Sequence, residues 1–80
     1  MEKKVFIVDD EPSISKLLTY WVRDKWGNKV HCFDNGETML AHMNENPDLI
    51  LLDIMLPGVN GIEVLQRIKQ ISPDLPVIML

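Results

Sequence analysis

Leu49-Ile50-Leu51-Leu52-Asp53-Ile54-Met55-Leu56-Pro57-Gly58 is the stretch that decides the architecture. Its apolar run, entered from Pro47-Asp48 and left through Pro57-Gly58, reads as a short strand buried on both faces, the pattern of a parallel sheet. An acid closes that run. Apolar neighbours pull the strand into a core while the Asp53 carboxylate resists desolvation, so Asp53 must emerge at a sheet edge or meet a compensating cation. The N-terminus repeats the pattern, because Lys4-Val5-Phe6-Ile7-Val8 is continuous and mostly apolar and ends in Asp9-Asp10.

Between and beyond these strands the apolar residues take up helical spacing. Glu11-Pro12-Ser13 opens a helix, with Pro suited to a first turn, and Ile14, Leu17, Leu18, Trp21 and Val22 recur at amphipathic spacing. Gly27-Asn28 stops it, and Lys29-Val30-His31-Cys32-Phe33 reads as a second strand. Asn35-Gly36 is a strong hairpin signal, but Met39, Leu40 and Met43 follow at helical spacing, so Asp34-Asn35-Gly36-Glu37 is read as a helix start. That helix is expected to run to Asn46-Pro47-Asp48, the third strand over 49–53, and a loop over 57–61. Ile62, Leu65 and Ile68 then mark a third helix closed by Ser72-Pro73, and residues 77–80 a last strand.

The order βαβαβαβ puts a helix in every crossover, which gives an α/β fold: an open parallel sheet with helices on both faces. In the flavodoxin-like order 2-1-3-4, strands 1 and 3 are neighbours, and their C-terminal ends flank the switch point where ligands bind. Asp9, Asp10 and Asp53 therefore meet in one crevice.

Composition narrows the remaining classes. Eighty residues suit one domain or part of one, and 46% hydrophobic with 25% charged residues is a globular balance. A net charge of -4 argues against generic nucleic-acid binding. No apolar run approaches the roughly 18 residues of a membrane span, and Met1-Glu2-Lys3-Lys4 leads directly into a strand, so no membrane association and a cytoplasmic location are expected. Cys32 is the single cysteine, which excludes an internal disulfide and suits a reducing compartment. Pro76-Val77-Ile78-Met79-Leu80 ends on an apolar run without turn or cap, as expected of a truncated domain.

Three carboxylates held close together must raise a pKa or bind a cation. Oxygen ligands suit Mg²⁺, which would neutralise the cluster and let a phosphoryl group approach one carboxylate acting as nucleophile. The plainer account of Asp9 and Asp10 is helix capping and dipole compensation, worth roughly 0.3–1 kcal/mol each, and Asp53 at the partner strand end weighs against it.

At these residues the chain resembles the CheY-like receiver domain of two-component response regulators. The resemblance runs through Val5-Phe6-Ile7-Val8-Asp9-Asp10-Glu11, Asn35-Gly36-Glu37 and the long segment from Pro47-Asp48 to Asn60-Gly61. It implies that Asp53 is the phosphoacceptor and that Asp9, Asp10, Asp53 and the Met55 backbone carbonyl hold Mg²⁺. It further implies a phosphohistidine donor on a sensor histidine kinase, and a signalling domain that is no enzyme beyond taking phosphoryl groups from small donors and losing them again. Residues 1–80 would be the N-terminal part of a single receiver domain lacking the last helix-strand-helix. The family's switch Ser/Thr after the fourth strand and its Lys after the fifth then lie beyond Leu80. Met55 with Leu56-Pro57-Gly58 resembles receivers fused to winged-helix effectors, so DNA would be reached only through an effector domain outside this chain. A haloacid-dehalogenase-like phosphatase also places a nucleophilic Asp after an apolar strand, but it needs a second Asp where this chain has Met55. An interaction fragment is the other alternative: an uncovered strand over 77–80 would make a homodimer or higher oligomer.

The remaining residues read as structure. Glu11 is expected as a first-turn acid near the site, the five Met residues as core filler, and Trp21 as packing on the apolar helix face. Cys32 is expected as a small core hydrophobe. Trp26, His31 and His42 show no metal spacing and receive no chemistry.

Overall fold

The computed structural model describes residues 2–80. Four parallel strands, β1 Lys4–Val8, β2 Lys29–Phe33, β3 Leu49–Leu52 and β4 Val77–Met79, form one sheet in the order β2-β1-β3-β4. The register sets Val8 beside both Phe33 and Leu52, so β1, β2 and β3 finish level. Asp9 and Asp53 continue the ladder past these ends, Asp9 N–H donating to Phe33 O at 3.0 Å and Asp53 N–H to Val8 O at 2.9 Å. The expected order and topology are those observed.

Alternation along the strands divides the core in two. Phe6, Val8, Phe33, Ile50 and Leu52 face α2 (Gly36–Leu40) and α3 (Gly61–Ile71), packing with Met39, Val64 and Ile68 in the larger cluster. Val5, Ile7 and Leu51 face the other way, toward α1 (Pro12–Thr19) and the π-helical segment Tyr20–Lys25 that continues it. Helix starts follow their capping residues. Asn35 Oδ1 accepts from Thr38 N–H at 2.8 Å and Asn60 Oδ1 from Glu63 N–H at 3.0 Å. These side chains satisfy amides that have no partner within the helix. Glu11, expected inside the first turn, is instead the N-cap of α1, its carboxylate accepting from Ser13 N–H at 3.4 Å.

Four expectations need correction. The second helix does not run to Asn46: α2 ends at Leu40 and a 3₁₀ turn spans Met43–Glu45. His42 explains the break. Its Nδ1 donates to Thr38 O at 2.8 Å, taking the carbonyl that its own backbone N–H would use in an α-helix, and that N–H turns to Met39 O at 2.9 Å. Cys32 is exposed rather than a core residue, because it lies on the outer strand β2, where its Sγ stands 3.2 Å from Thr19 Oγ1. Trp21 is 44% exposed and Leu17 and Ile14 are also exposed, so the apolar stripe of α1 is only partly covered. The last two strands are each one residue shorter at their C-terminal ends than expected, β3 stopping at Leu52 rather than Asp53 and β4 at Met79 rather than Leu80.

Candidate acidic site at the ends of β1 and β3

Each acid is delivered by the end of a buried strand. Asp9, Asp10 and Asp53 each offer a carboxylate oxygen within 4.8 Å of the others, which is the convergence expected from the topology. Their surroundings differ: Asp9 is 6% exposed, Asp53 half-buried and Asp10 exposed. Asp9 Oδ1 accepts from Glu11 N–H at 2.9 Å, while Ser15 Oγ donates to the Asp9 carbonyl at 3.3 Å. Helix capping therefore does not account for Asp9 and Asp10, since Glu11 performs it for α1. Asp53 Oδ1 accepts from Met55 N–H at 3.0 Å, a local turn that leaves Oδ2 without a protein donor among the described residues. Met55 itself is 78% exposed.

The electrostatics of the cluster are unbalanced. Desolvation pushes the Asp9 carboxyl above its ordinary value; the Glu11 amide opposes this, and the negative charges of Asp53, Asp10 and Glu11 reinforce it. No lysine or arginine forms an ion pair with any of the three acids among the described residues. An all-oxygen donor set carrying this much uncompensated charge fits a hard divalent cation.

One residue that matters here gave little signal. The Gly61 amide donates to Ile54 O at 3.1 Å, and a Cβ at Gly61 would come within 2.6 Å of Asp53 O and of Ile54 Cα. The first residue of α3 thus lies against the backbone that presents Asp53, and only glycine allows that approach. In the sequence Asn60-Gly61 reads merely as the end of a loop.

Comparison with known proteins agrees with this geometry. Residues 5–80 match the response regulator receiver domain family. The DNA-binding response regulator MtrA of Mycolicibacterium smegmatis is 36% identical over the whole chain, which covers 35% of that protein. The alkaline phosphatase synthesis transcriptional regulatory protein PhoP of Bacillus subtilis is 40% identical, again over the whole chain and 33% of the relative. The chain thus spans about a third of the length of these curated relatives. Among solved structures, the N-terminal domain of a response regulator receiver protein from Methanoculleus marisnigri superposes with a TM-score of 0.87 at 35% identity, covering 96% of this chain and 64% of that one. The receiver domain of NtrX from Brucella abortus gives a TM-score of 0.86 at 35% identity, covering 94% and 64% respectively. No helix among the described residues is long and apolar enough to cross a membrane. With its sheet order, its strand-end acids and its relatives all in agreement, the chain belongs to the response regulator receiver domain family.

Proposed function

We propose that residues 1–80 are the N-terminal part of a single receiver domain whose Asp53 accepts a phosphoryl group from the phosphohistidine of a sensor histidine kinase. The observation that carries this reading is the convergence of three carboxylates within 4.8 Å at the ends of β1 and β3. Asp9, Asp10, Asp53 and the Met55 carbonyl are the groups assigned to Mg²⁺, which when bound neutralises the crevice so that an anionic phosphoryl group can enter. Asp53 is the nucleophile. Its Oδ1 is engaged by the Met55 amide, so Oδ2 attacks phosphorus; a new O–P bond forms as the donor's P–N bond breaks and the imidazole leaves. Asp9 and its hydrogen-bonded turn hold the metal side of the crevice in register with that oxygen. The relatives named as a DNA-binding response regulator and a transcriptional regulatory protein support an effector that binds DNA, outside this chain.

Intact-mass measurement after incubation with acetyl phosphate and Mg²⁺ tests the assignment. One phosphoryl adduct is expected, dependent on Mg²⁺ and lost in Asp53→Asn; an adduct that persists in Asp53→Asn refutes it.

A second reading, self-association through the β4 edge, is favoured by one observation. Ile78 and Leu80 are exposed beside an apolar groove whose wall includes Trp21, Trp26 and Leu51. Sedimentation as a compact monomer at high micromolar concentration would remove it.

A further inference from the structure

The three acids are not held alike. Asp9 is fixed at its amide, which donates to Phe33 O at 3.0 Å, and at its carboxylate, which accepts from Glu11 N–H at 2.9 Å. The Asp53 carboxylate is fixed by the Met55 amide at 3.0 Å. Asp10 is exposed, and its carboxylate accepts no hydrogen bond among the described residues. Its direction therefore depends on the backbone that carries it, above all on the peptide unit joining Asp9 to Asp10.

The oxygen of that peptide unit is the Asp9 carbonyl. No backbone N–H donates to it among the described residues: Pro12, three residues on, has no N–H with which to close a turn, and the Ser13 amide is taken by the Glu11 carboxylate at 3.4 Å. Its one donor among the described residues is the Ser15 hydroxyl, at 3.3 Å. A serine inside a helix can instead bond the carbonyl four residues back. Here that carbonyl, Glu11 O, already accepts from the Ile14 and Ser15 amides, both at 3.1 Å, and the hydroxyl reaches past it to Asp9. Ser15 thereby stands in the wall of the same groove as Asp9 and Asp10.

We propose, on the reading that the three acids share one Mg²⁺, that Ser15 is a positioning residue of the cation site, setting Asp10 for the metal by fixing the Asp9–Asp10 peptide unit. Its hydroxyl touches no carboxylate of the cluster and acts only through that backbone. Partners that orient metal ligands from outside cut the entropy lost on binding and are commonly worth about tenfold or more in affinity. Thr19 supplies a contrast within the same helix. One turn further along the same face of α1, its hydroxyl lies 3.2 Å from Cys32 Sγ. Thr19 therefore also ties α1 to the sheet, but its contact is with β2 rather than with the Asp9–Asp10 turn.

Titration of the full-length protein that contains this chain with Mg²⁺, followed through the backbone amide NMR signals of Asp10 and Asp53, tests the role. Ser15→Ala should weaken Mg²⁺ binding about tenfold. Ser15→Thr, which keeps the hydroxyl, should restore the affinity, and Thr19→Ala should leave it unchanged. Alanine is a better helix former than serine, which offsets part of the lost hydrogen bond, so denaturant stability of Ser15→Ala should change far less than its Mg²⁺ affinity. Undiminished affinity in Ser15→Ala overturns the proposal, as does an equal loss in Thr19→Ala, which would make both hydroxyls general fasteners of α1. An unsubstituted protein whose Asp10 and Asp53 signals ignore Mg²⁺ would refute the shared cation site itself, and the role of Ser15 with it.

Discussion

The two faces of the sheet are built from the same strands and are covered very differently. On the α2/α3 face, eleven buried residues form a continuous cluster around Phe6, Ile50 and Leu52. On the α1 face the buried set is Val5, Ile7, Val22 and Leu51, and Trp21, Trp26, Ile78 and Leu80 stay exposed around an apolar groove. Burial of apolar area is the main driving force of folding, so most of the stabilisation in this chain comes from one face. The acidic site sits where the faces meet: α3 presses Gly61 against the Asp53 backbone from one side, and the start of α1 holds Asp9 from the other.

The largest expected effect follows from that asymmetry. Phe6 is fully buried, with Phe33 4.9 Å away, and Phe6→Ala should cost roughly 3–5 kcal/mol, enough to unfold a domain of this size. Trp21→Ala on the opposite face, despite deleting a larger side chain, should cost less than about 1 kcal/mol. Denaturant melts of the two variants measure the contrast, and equal losses would mean that the α1 face is as well packed as the other.

Next is the seam between α3 and the site. Gly61→Ala forces a Cβ into Asp53 O and Ile54 Cα, and should cost about 1–3 kcal/mol. It should also weaken Mg²⁺ binding, because the displaced backbone carries Asp53. Lost stability with unchanged Mg²⁺ affinity would separate packing at Gly61 from the geometry of the acids.

A smaller effect, of opposite sign, is expected at Asp9. Its carboxyl is raised by burial and then by the neighbouring acids, so the folded state binds the Asp9 proton more tightly than the unfolded chain does. The stability contributed by that proton is complete below the ordinary carboxylate value and is lost as pH rises through the raised one. Ionised Asp9 therefore costs stability at neutral pH. Asp9→Asn keeps an acceptor for the Glu11 amide and removes the charge, so without Mg²⁺ it should melt a few degrees higher at pH 7. The gain should fade toward pH 3–4. A melting temperature that falls at pH 7 would show the carboxylate to be balanced by some other charge.

Much of this was readable in the residues. The apolar runs ending at Val8 and Leu52, and the helical spacing between them, mark a parallel α/β sheet, and the flavodoxin-like order expected of such a sheet, which is the order observed, brings Asp9, Asp10 and Asp53 together. What escaped depends on contacts that periodicity does not encode. An amphipathic stripe such as Ile14, Leu17 and Trp21 states which residues favour burial but not whether anything lies over them. The early end of α2 turns on one side chain, His42, competing for one carbonyl. The exposure of Cys32 comes from the outer position of β2, and the value of Gly61 comes from an approach visible only once α3 and β3 are placed.

The central claim is that three acids from two strand ends act as one cation site, and thermal melting with Mg²⁺ tests it most directly. At a Mg²⁺ concentration ten times its dissociation constant, the folded state should gain about 1.4 kcal/mol, raising Tm by several degrees. The rise should shrink to a small fraction in Asp10→Asn, whose exposed side chain makes the substitution structurally mild. An equal rise in both proteins, or none in either, would contradict the account.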